Sequence, residues 1–143
     1  MKKISRSALL PYSAEAVFDL VNDVGAYPEF LPWCGGAQVL EASETHMVAS
    51  VVIAKAGVRQ TFTTRNALHR PSRIEMQLVD GPFKQLHGIW QFTPLTDEAC
   101  KIAFDIEFEI SNRLLNVAIG PIFEQIVTTL VQSFCERAKQ VYG

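Results

Sequence analysis

Apolar and polar residues alternate along much of the chain, most clearly in the segment 99–110. Even-numbered positions from Cys100 to Ile110 are all apolar, whereas Lys101, Asp105 and Glu107 stand between them. Because successive side chains of a strand point to opposite faces, this pattern predicts a strand with one covered and one solvated face. The segments 74–78 and 86–92 repeat the alternation and should belong to the same sheet.

Turn signals divide residues 37–110 into about six short strands. They lie at 42–45, 56–57, 70–72, 80–82 and 94–98, where glycine, proline and small polar residues collect. Short strands joined by tight turns are typical of an antiparallel meander, and their one-sided apolar faces need a cover.

The segment 112–142 is predicted to be that cover. Its apolar doublets recur every four residues from Leu114-Leu115 to Phe134-Cys135. Since four residues exceed the ~3.6 residues of a helical turn, the apolar stripe drifts around the helix. We predict a long C-terminal helix across the sheet, divided by a kink at Gly120-Pro121 into a short front piece and a long back piece.

Two shorter elements precede the meander. Residues 2–10 alternate loosely and predict a first strand. Ser13 is a favourable N-cap residue, and Val17, Leu20 and Val21 after it have helical spacing, which predicts a short helix.

The segment 27–34, called the aromatic lid below, is apolar but cannot be regular. Pro28 and Pro32 each fix φ and lack an N–H, which excludes a long regular helix or a central strand. Its large apolar side chains are Tyr27, Phe30, Leu31 and Trp33. A connection of this kind should cover an apolar interior, which is filled either by side chains or by a ligand.

Together these elements predict a single α+β domain over residues 1–143. We expect an antiparallel sheet of about seven strands wrapped around a long C-terminal helix, with short N-terminal helices. A chain of 143 residues buries about 68–70% of its unfolded surface, so one core suffices.

Composition narrows the classes of function. A net charge of −2 gives no general attraction to DNA, and three cysteines far apart argue against a disulfide framework. No apolar run approaches the ~18 residues of a membrane span, and no secretory signal is recognisable. We therefore expect a cytoplasmic protein without a transmembrane segment.

Three segments carry a family resemblance. They are Tyr27-Pro28-Glu29-Phe30-Leu31-Pro32-Trp33-Cys34, the ending Phe134-Cys135-Glu136-Arg137-Ala138-Lys139-Gln140-Val141-Tyr142, and Gly81-Pro82-Phe83-Lys84 with the Trp90/Phe92 strand. The chain resembles the START-like (SRPBCC, helix-grip) superfamily. Within it, the chain is most similar to the family of the bacterial ribosome association toxin RatA and the mitochondrial coenzyme Q-binding proteins. The resemblance implies one domain of the polyketide cyclase/coenzyme Q-binding type.

This resemblance implies two functions. Our main hypothesis is a non-catalytic protein that binds ubiquinone, a polyprenyl quinone, between the sheet and the C-terminal helix and supports respiration. The alternative is a RatA-type toxin of a type II toxin-antitoxin system, which binds the 50S ribosomal subunit, blocks 70S formation and pairs with a small antitoxin. A cyclase- or dehydratase-like enzyme is a distant third. No cofactor is expected apart from ubiquinone as a ligand.

The candidate ligand site combines large apolar residues from the lid, the sheet and the long helix. The irregular aromatic lid and the drifting helix stripe favour a cavity over a closed core, although a closed core remains the alternative. Gln60, Thr64 and Asn66 are in phase with Phe62 and are candidate polar anchors. The predicted ligand-binding residues are Phe30, Leu31, Trp33, Phe62, Phe83, Trp90, Phe104, Ile122, Phe123 and Ile126.

No pattern of catalytic or metal-binding residues is present. His46, His69 and His87 have no partner at a ligand spacing, and Cys34 has no basic neighbour that would activate its thiol. The carboxylates of segment 99–110 share a solvated strand face, which is more common than a catalytic pair. We predict a protein that is not an enzyme.

Basic residues line one face of a predicted strand. Arg59, Thr61, Thr63 and Arg65 occupy alternate positions and therefore share one face. Arginine donates well to phosphate, so Arg59 and Arg65 are candidate RNA contacts. The same face is also explained as a solubilising surface.

Overall fold

A computed structural model describes residues 1–143. Seven strands, two α-helices and one short 3-10 helix follow the predicted order. Their bounds are β1 Lys2–Leu10, α1 Ala14–Asn22, the 3-10 helix Val24–Glu29, β2 Cys34–Ala42, β3 His46–Lys55, β4 Val58–His69, β5 Arg73–Asp80, β6 Phe83–Thr96, β7 Ala99–Ile110 and α2 Arg113–Tyr142.

The seven strands form one antiparallel sheet in the order β1-β7-β6-β5-β4-β3-β2. Strand β1 therefore forms one edge of the sheet and pairs with β7, and β2 forms the other edge. In β7 every even-numbered residue from Cys100 to Ile110 is buried, with exposed fractions of 0–8%. The alternation read from the sequence is confirmed, together with the START-like α+β fold.

Helix α1 begins where the sequence predicts. The Ser13 hydroxyl accepts a hydrogen bond from the Ala16 N–H at 3.1 Å, which satisfies one of the free donors of the first turn. Val17 and Phe18 of this helix are fully buried against the sheet. The rings of Phe18 and Phe92 meet edge to face, 5.5 Å apart, and fix α1 on β6.

Helix α2 lies across the inner face of the sheet and runs without interruption from Arg113 to Tyr142. The helix is not interrupted at Gly120-Pro121, and the predicted kink there stays a prediction. Pro121 cannot donate to the carbonyl of Val117, but Val117 and Pro121 both lie on the solvent side, where water can satisfy that carbonyl. The buried side of α2 consists of Ile119, Gly120, Phe123, Ile126, Val127, Val131, Phe134 and Ala138.

The apolar stripe of α2 extends beyond the part that packs on the sheet. Leu114 and Val117 in its first two turns are 81% and 73% exposed. By length and composition the helix is long and apolar enough to cross a membrane, a property that the core helices of soluble proteins share. The absence of a transmembrane segment stays a prediction.

Candidate functional site

A cavity lies between the inner face of the sheet, helix α1, the aromatic lid and helix α2. Strands β3 to β7 form its floor, and Leu130 of α2 closes the opposite side. Its lining consists of Val21, Asn22, Val24, Tyr27, Trp33, Ala49, Val51, Phe62, Thr64, Asn66, Ile74, Met76, Trp90, Phe104 and Leu130. Twelve of these fifteen residues are hydrophobic, so the cavity favours apolar contents.

An aromatic pair forms one wall of the cavity. Trp90 on β6 and Phe104 on β7 are cross-strand partners, and their rings stack with centroids 4.1 Å apart at 18°. Gly88 leaves room for this arrangement, because a Cβ there would lie 3.3 Å from the Phe104 ring. Phe134 of α2 meets the Trp90 ring edge to face at 5.3 Å and holds it in place. The pair presents a flat, rigid apolar surface.

Polar groups are few and partly unpaired. The Thr64 hydroxyl donates to the Asn66 side-chain oxygen at 2.9 Å, and both residues are buried, with exposed fractions of 5% and 6%. The side-chain oxygen of Asn22 is buried without a hydrogen-bond partner. Buried polar groups are normally paired, so Asn22 in particular offers an acceptor to a water or a ligand.

The aromatic lid is held by specific contacts. The 3-10 helix Val24–Glu29 extends into its first three residues, and the N–H of Leu31 donates to the carbonyl of Tyr27 at 2.9 Å. The Tyr27 hydroxyl donates to the carbonyl of Val21, and its ring meets that of Phe134 at 5.4 Å. Burial raises the pKa of Tyr27 above its usual range, so it stays a neutral donor. The expectation that the two prolines prevent a long regular element is confirmed.

Arg137 of α2 ties the lid to the long helix. Its guanidinium lies over the Phe30 ring, 4.9 Å from the centroid, and reaches the Glu29 carboxylate at 3.3 Å. A cation over an aromatic face and an ion pair both favour this closed position of the lid. The Arg137 side chain is 21% exposed, so water screens these contacts only in part.

The structure brings some of the predicted ligand residues together and separates others. Trp33, Phe62, Trp90 and Phe104 line the cavity. Phe83 and Phe123 instead form an aromatic cluster with Phe108, in which the rings of Phe83 and Phe123 lie 4.8 Å apart. The remaining predicted residues, which do not line the cavity, are Phe30, Leu31, Ile122 and Ile126.

Sequence reasoning missed much of the lining. Thr64 and Asn66 were predicted as anchors and line the cavity, whereas Gln60 does not. Ala49 and Val51 on β3 were missed, although they face Thr64 and Phe62 directly across the strand pair. Strand pairing between β3 and β4 would have identified these two. The other residues not predicted to line it are Val21, Asn22, Val24, Tyr27, Ile74, Met76 and Leu130.

The size of the cavity limits what it holds in this conformation. Its volume is about 70 Å³. One water needs about 10–15 Å³, whereas sites that enclose drug-sized ligands measure about 300–1,000 Å³. The cavity accommodates a few waters or a small ring, and a quinone with its tail would require the lid or α2 to move.

Titratable groups do not assemble in the cavity. Tyr27 is the only titratable residue in its lining, and no group of three His, Cys, Asp or Glu side chains is placed to hold a metal ion. Cys34 is buried and its thiol donates to the carbonyl of Gly36 at 3.3 Å. Burial raises the pKa of Cys34, of Cys100 and of Cys135, which keeps these thiols protonated.

The outer face of the sheet carries the predicted basic positions. Arg59 and Arg65 are exposed on β4, and neither has a carboxylate partner. Between them, the Thr63 hydroxyl is hydrogen bonded to that of Ser50 on β3 at 2.6 Å. Six residues of a strand span about 20 Å, so the two guanidiniums are too far apart to grip a single phosphate.

Comparison with known proteins identifies relatives over the whole chain. Residues 10–135 match the family model described as polyketide cyclase / dehydrase and lipid transport. A ribosome association toxin RatA of Vibrio cholerae is 56% identical over 143 residues, covering 100% of this chain and 99% of that protein. RatA of Pseudomonas aeruginosa is 55% identical over 140 residues, covering 98% and 97%. A mitochondrial coenzyme Q-binding protein COQ10 homolog B of Xenopus laevis is 26% identical, covering 97% of this chain and 59% of that protein.

Solved structures share the fold. The Zhui aromatase/cyclase of Streptomyces sp. R1128 superposes with a TM-score of 0.86 at 16% identity, covering 99% of this chain and 96% of that chain. The 18 kDa protein CC1736 of Caulobacter crescentus superposes with a TM-score of 0.76 at 30% identity, covering 100% and 99%. A START superfamily protein of Mycobacterium smegmatis gives 0.80 at 18% identity, covering 97% and 98%. At such low identity, the aromatase/cyclase and the START protein establish the fold alone.

Proposed function

Because this chain belongs to the polyketide cyclase / dehydrase and lipid transport family, and within it to the RatA branch, we propose that it is a ribosome-associating toxin. In this proposal it binds the large ribosomal subunit in the cytoplasm and blocks its joining to the small subunit, and a small antitoxin acts as its partner. The ubiquinone hypothesis, preferred from the sequence alone, becomes the second candidate.

One observation carries this proposal. Relatives named for ribosome association match 98–100% of the chain at 55–56% identity. The coenzyme Q-binding relative matches at 26%. The overall identity of this chain to the RatA proteins is therefore about twice its identity to the coenzyme Q-binding protein.

The outer face of β4 supports an RNA contact. Arg59 and Arg65 have no intramolecular ion pairs to give up, so binding a phosphate would not break an existing contact. Their separation of about 20 Å matches two phosphate groups several nucleotides apart better than one. The hydroxyls of Ser50 and Thr63 lie between them as neutral donors.

A subunit-joining experiment tests this proposal. The purified chain is mixed with 30S and 50S subunits, and 70S formation is followed by sucrose-gradient sedimentation. We expect the chain to sediment with 50S and to reduce the 70S peak. The double variant Arg59→Glu, Arg65→Glu should lose both effects. Lys101→Glu is the matched control, because Lys101 is also exposed on the outer face and unpaired, but lies on β7.

Two results contradict parts of this proposal. Equal loss in the Lys101 variant would mean that overall charge, rather than the β4 face, drives binding. A wild-type chain that leaves 70S formation unchanged at high excess over 50S would overturn the ribosomal function itself.

Ligand binding in the cavity is the second candidate function. The stacked Trp90–Phe104 wall, the unpaired acceptor of Asn22 and the buried Asn66 suit a planar ring with a polar substituent. Trp33 and Trp90, the two tryptophans of the chain, both line the cavity. Ubiquinone analogues should then quench tryptophan emission saturably, with longer tails binding more tightly because they bury more apolar surface.

The same quenching titration distinguishes ligand binding in the cavity from binding to the ribosome. Replacing Trp33 by Phe should reduce the quench while subunit joining stays inhibited. Unchanged emission at saturating quinone would remove this candidate and leave the lid as a structural plug. An enzymatic function has no support in the cavity, whose lining has no group that titrates near neutral pH.

A further inference from the structure

The first two turns of α2 expose a compact apolar surface. Leu114, Val117, Ala118 and Pro121 follow one another at helical spacing and all lie on the solvent side. Leu114 is the most exposed large apolar side chain of the protein, at 81%, and Val117 follows at 73%. Neighbouring exposed apolar residues on one helix face mark a contact surface more often than isolated ones do. These four residues are called the α2 patch below.

Positive groups surround the α2 patch. Arg113 precedes it on the helix, and Lys55 donates to the Gln125 side chain at 3.0 Å, about one turn beyond Pro121. Lys2 and Lys84 line the groove beside Val117 and Pro121. The carboxylates in that groove are Glu109 and Glu124, which pair with Lys84 and Lys2. Arg113 and Lys55 have no carboxylate partner, so this end of a chain with net charge −2 is locally positive.

The position of Arg113 opposes the local preference of the helix. The first turn of α2 contains no acidic residue, and a cation there lies near the positive end of the helix dipole. This arrangement weakens the helix slightly, but it adds a positive field where the apolar side chains protrude. An apolar surface with a cationic rim matches an anionic lipid surface, where apolar side chains enter the acyl boundary and cations meet the headgroups.

We propose that the α2 patch docks this protein on anionic phospholipid membranes. Helix α2 does not cross the bilayer in this arrangement, because its later turns remain packed on the sheet. A lipid surface fits better than a protein, since the two helical turns of the patch span only about 11 Å and a stable protein interface needs about 800 Å² from each partner. Exposed leucine and valine are also poor partners for RNA phosphates. The proposal is independent of the ribosomal function.

Vesicle flotation of the full chain tests the proposal. Vesicles that contain phosphatidylglycerol should carry the protein to the top of the gradient, whereas pure phosphatidylcholine vesicles should not. The double variant Leu114→Asp, Val117→Asp should reduce the bound fraction about tenfold, because it places charge in the acyl boundary. Arg113→Gln and Lys55→Gln should each weaken binding about fivefold at low salt and make it less salt-dependent.

Leu9→Asp is the matched control. Leu9 is 70% exposed on the outer face of β1, so it has similar chemistry and exposure but lies outside the patch. It should bind vesicles like the wild type. Circular dichroism and a ribosome sedimentation assay of the same variants verify that the fold and the proposed ribosomal contact are intact.

Four outcomes would overturn the docking proposal. The first is no flotation with anionic vesicles, and the second is flotation that survives Leu114→Asp, Val117→Asp. The third is loss of ribosome sedimentation by the patch variant without any vesicle binding, which would assign the patch to the ribosome. The fourth is a concentration-dependent dimer that the patch variant abolishes while vesicles bind no protein, which would assign the patch to a second copy of the chain.

Discussion

Ala49→Val tests whether the cavity is a true void. Ala49 is 3% exposed on the inner face of β3 and contributes to the cavity wall. Valine adds two methyl groups at a strand position that suits a β-branched side chain. If the void of about 70 Å³ accepts both groups, they enter an apolar space that is already enclosed.

The expected change in the free energy of unfolding follows from the two methyl groups that valine adds to the apolar interior. Each buried methylene stabilises by about 0.8 kcal/mol, so two give about 1.6 kcal/mol, and fixing the side chain costs about 0.5 kcal/mol. We expect the free energy of unfolding to rise by about 1 kcal/mol. In a chain of this size that corresponds to about 3 °C in Tm.

Urea unfolding followed by circular dichroism measures this change, with Ala67→Val as the control. Ala67 is half-buried on the outer face of β4, in the same kind of central strand position but away from the cavity. The control should change stability by no more than about 0.5 kcal/mol. Stabilisation by Ala49→Val should be accompanied by weaker quenching of tryptophan emission by ubiquinone analogues, if these bind there.

A destabilisation by Ala49→Val relative to Ala67→Val would refute the reasoning. It would mean that the added methyl groups clash and that the interior is a closed core, because overpacking costs about 1–3 kcal/mol. Equal effects in the two variants would show that valine at position 49 reports strand propensity alone.

Three further changes test the packing and the lid. Phe123→Ala should lower the free energy of unfolding by about 4 kcal/mol in urea titrations, since it removes a buried ring that contacts those of Phe62, Phe83 and Phe108. Because burial raises the pKa of Tyr27 in the folded protein, its hydroxyl proton dissociates at a lower pH in the unfolded chain than in the folded one. Stability should therefore fall as the pH rises above about 10, and Tyr27→Phe should lessen that fall. Ser13→Ala should cost about 1 kcal/mol, measured as a lower urea midpoint, because the first turn of α1 loses its cap. A Ser13→Asp variant that fails to retain most of the wild-type stability would contradict this account of the cap.

Much of the fold could be predicted because its signals are local. The alternation in β7, the Ser13 cap and the turns of the meander each depend on residues close together in the sequence. That α2 continues through Gly120-Pro121 without interruption has a non-local reason. Packing of Phe123 and later residues on the sheet outweighs one missing hydrogen bond on the solvent side, and propensity cannot report that.

The candidate site was only partly predictable. The pattern of large apolar residues indicates which faces point inward, and it correctly predicted that Trp33, Phe62, Trp90 and Phe104 line the cavity. It could not separate them from Phe123, because a cavity wall and a closed core have the same apolar pattern. Their difference depends on how the volumes of distant side chains add up in space.

By itself, the sequence determined the order and type of the elements, the inner and outer faces of β7 and the family to which the chain belongs. Hydrophobic period, capping and turn chemistry act between near neighbours, so they can be read along the chain. Only the tertiary structure decided where the cavity lies, that Arg137 ties the lid to α2, and that Leu114 stays exposed beside unpaired cations. These features arise when segments far apart in sequence meet, and their energies depend on contacts, volumes and charges that no single segment contains.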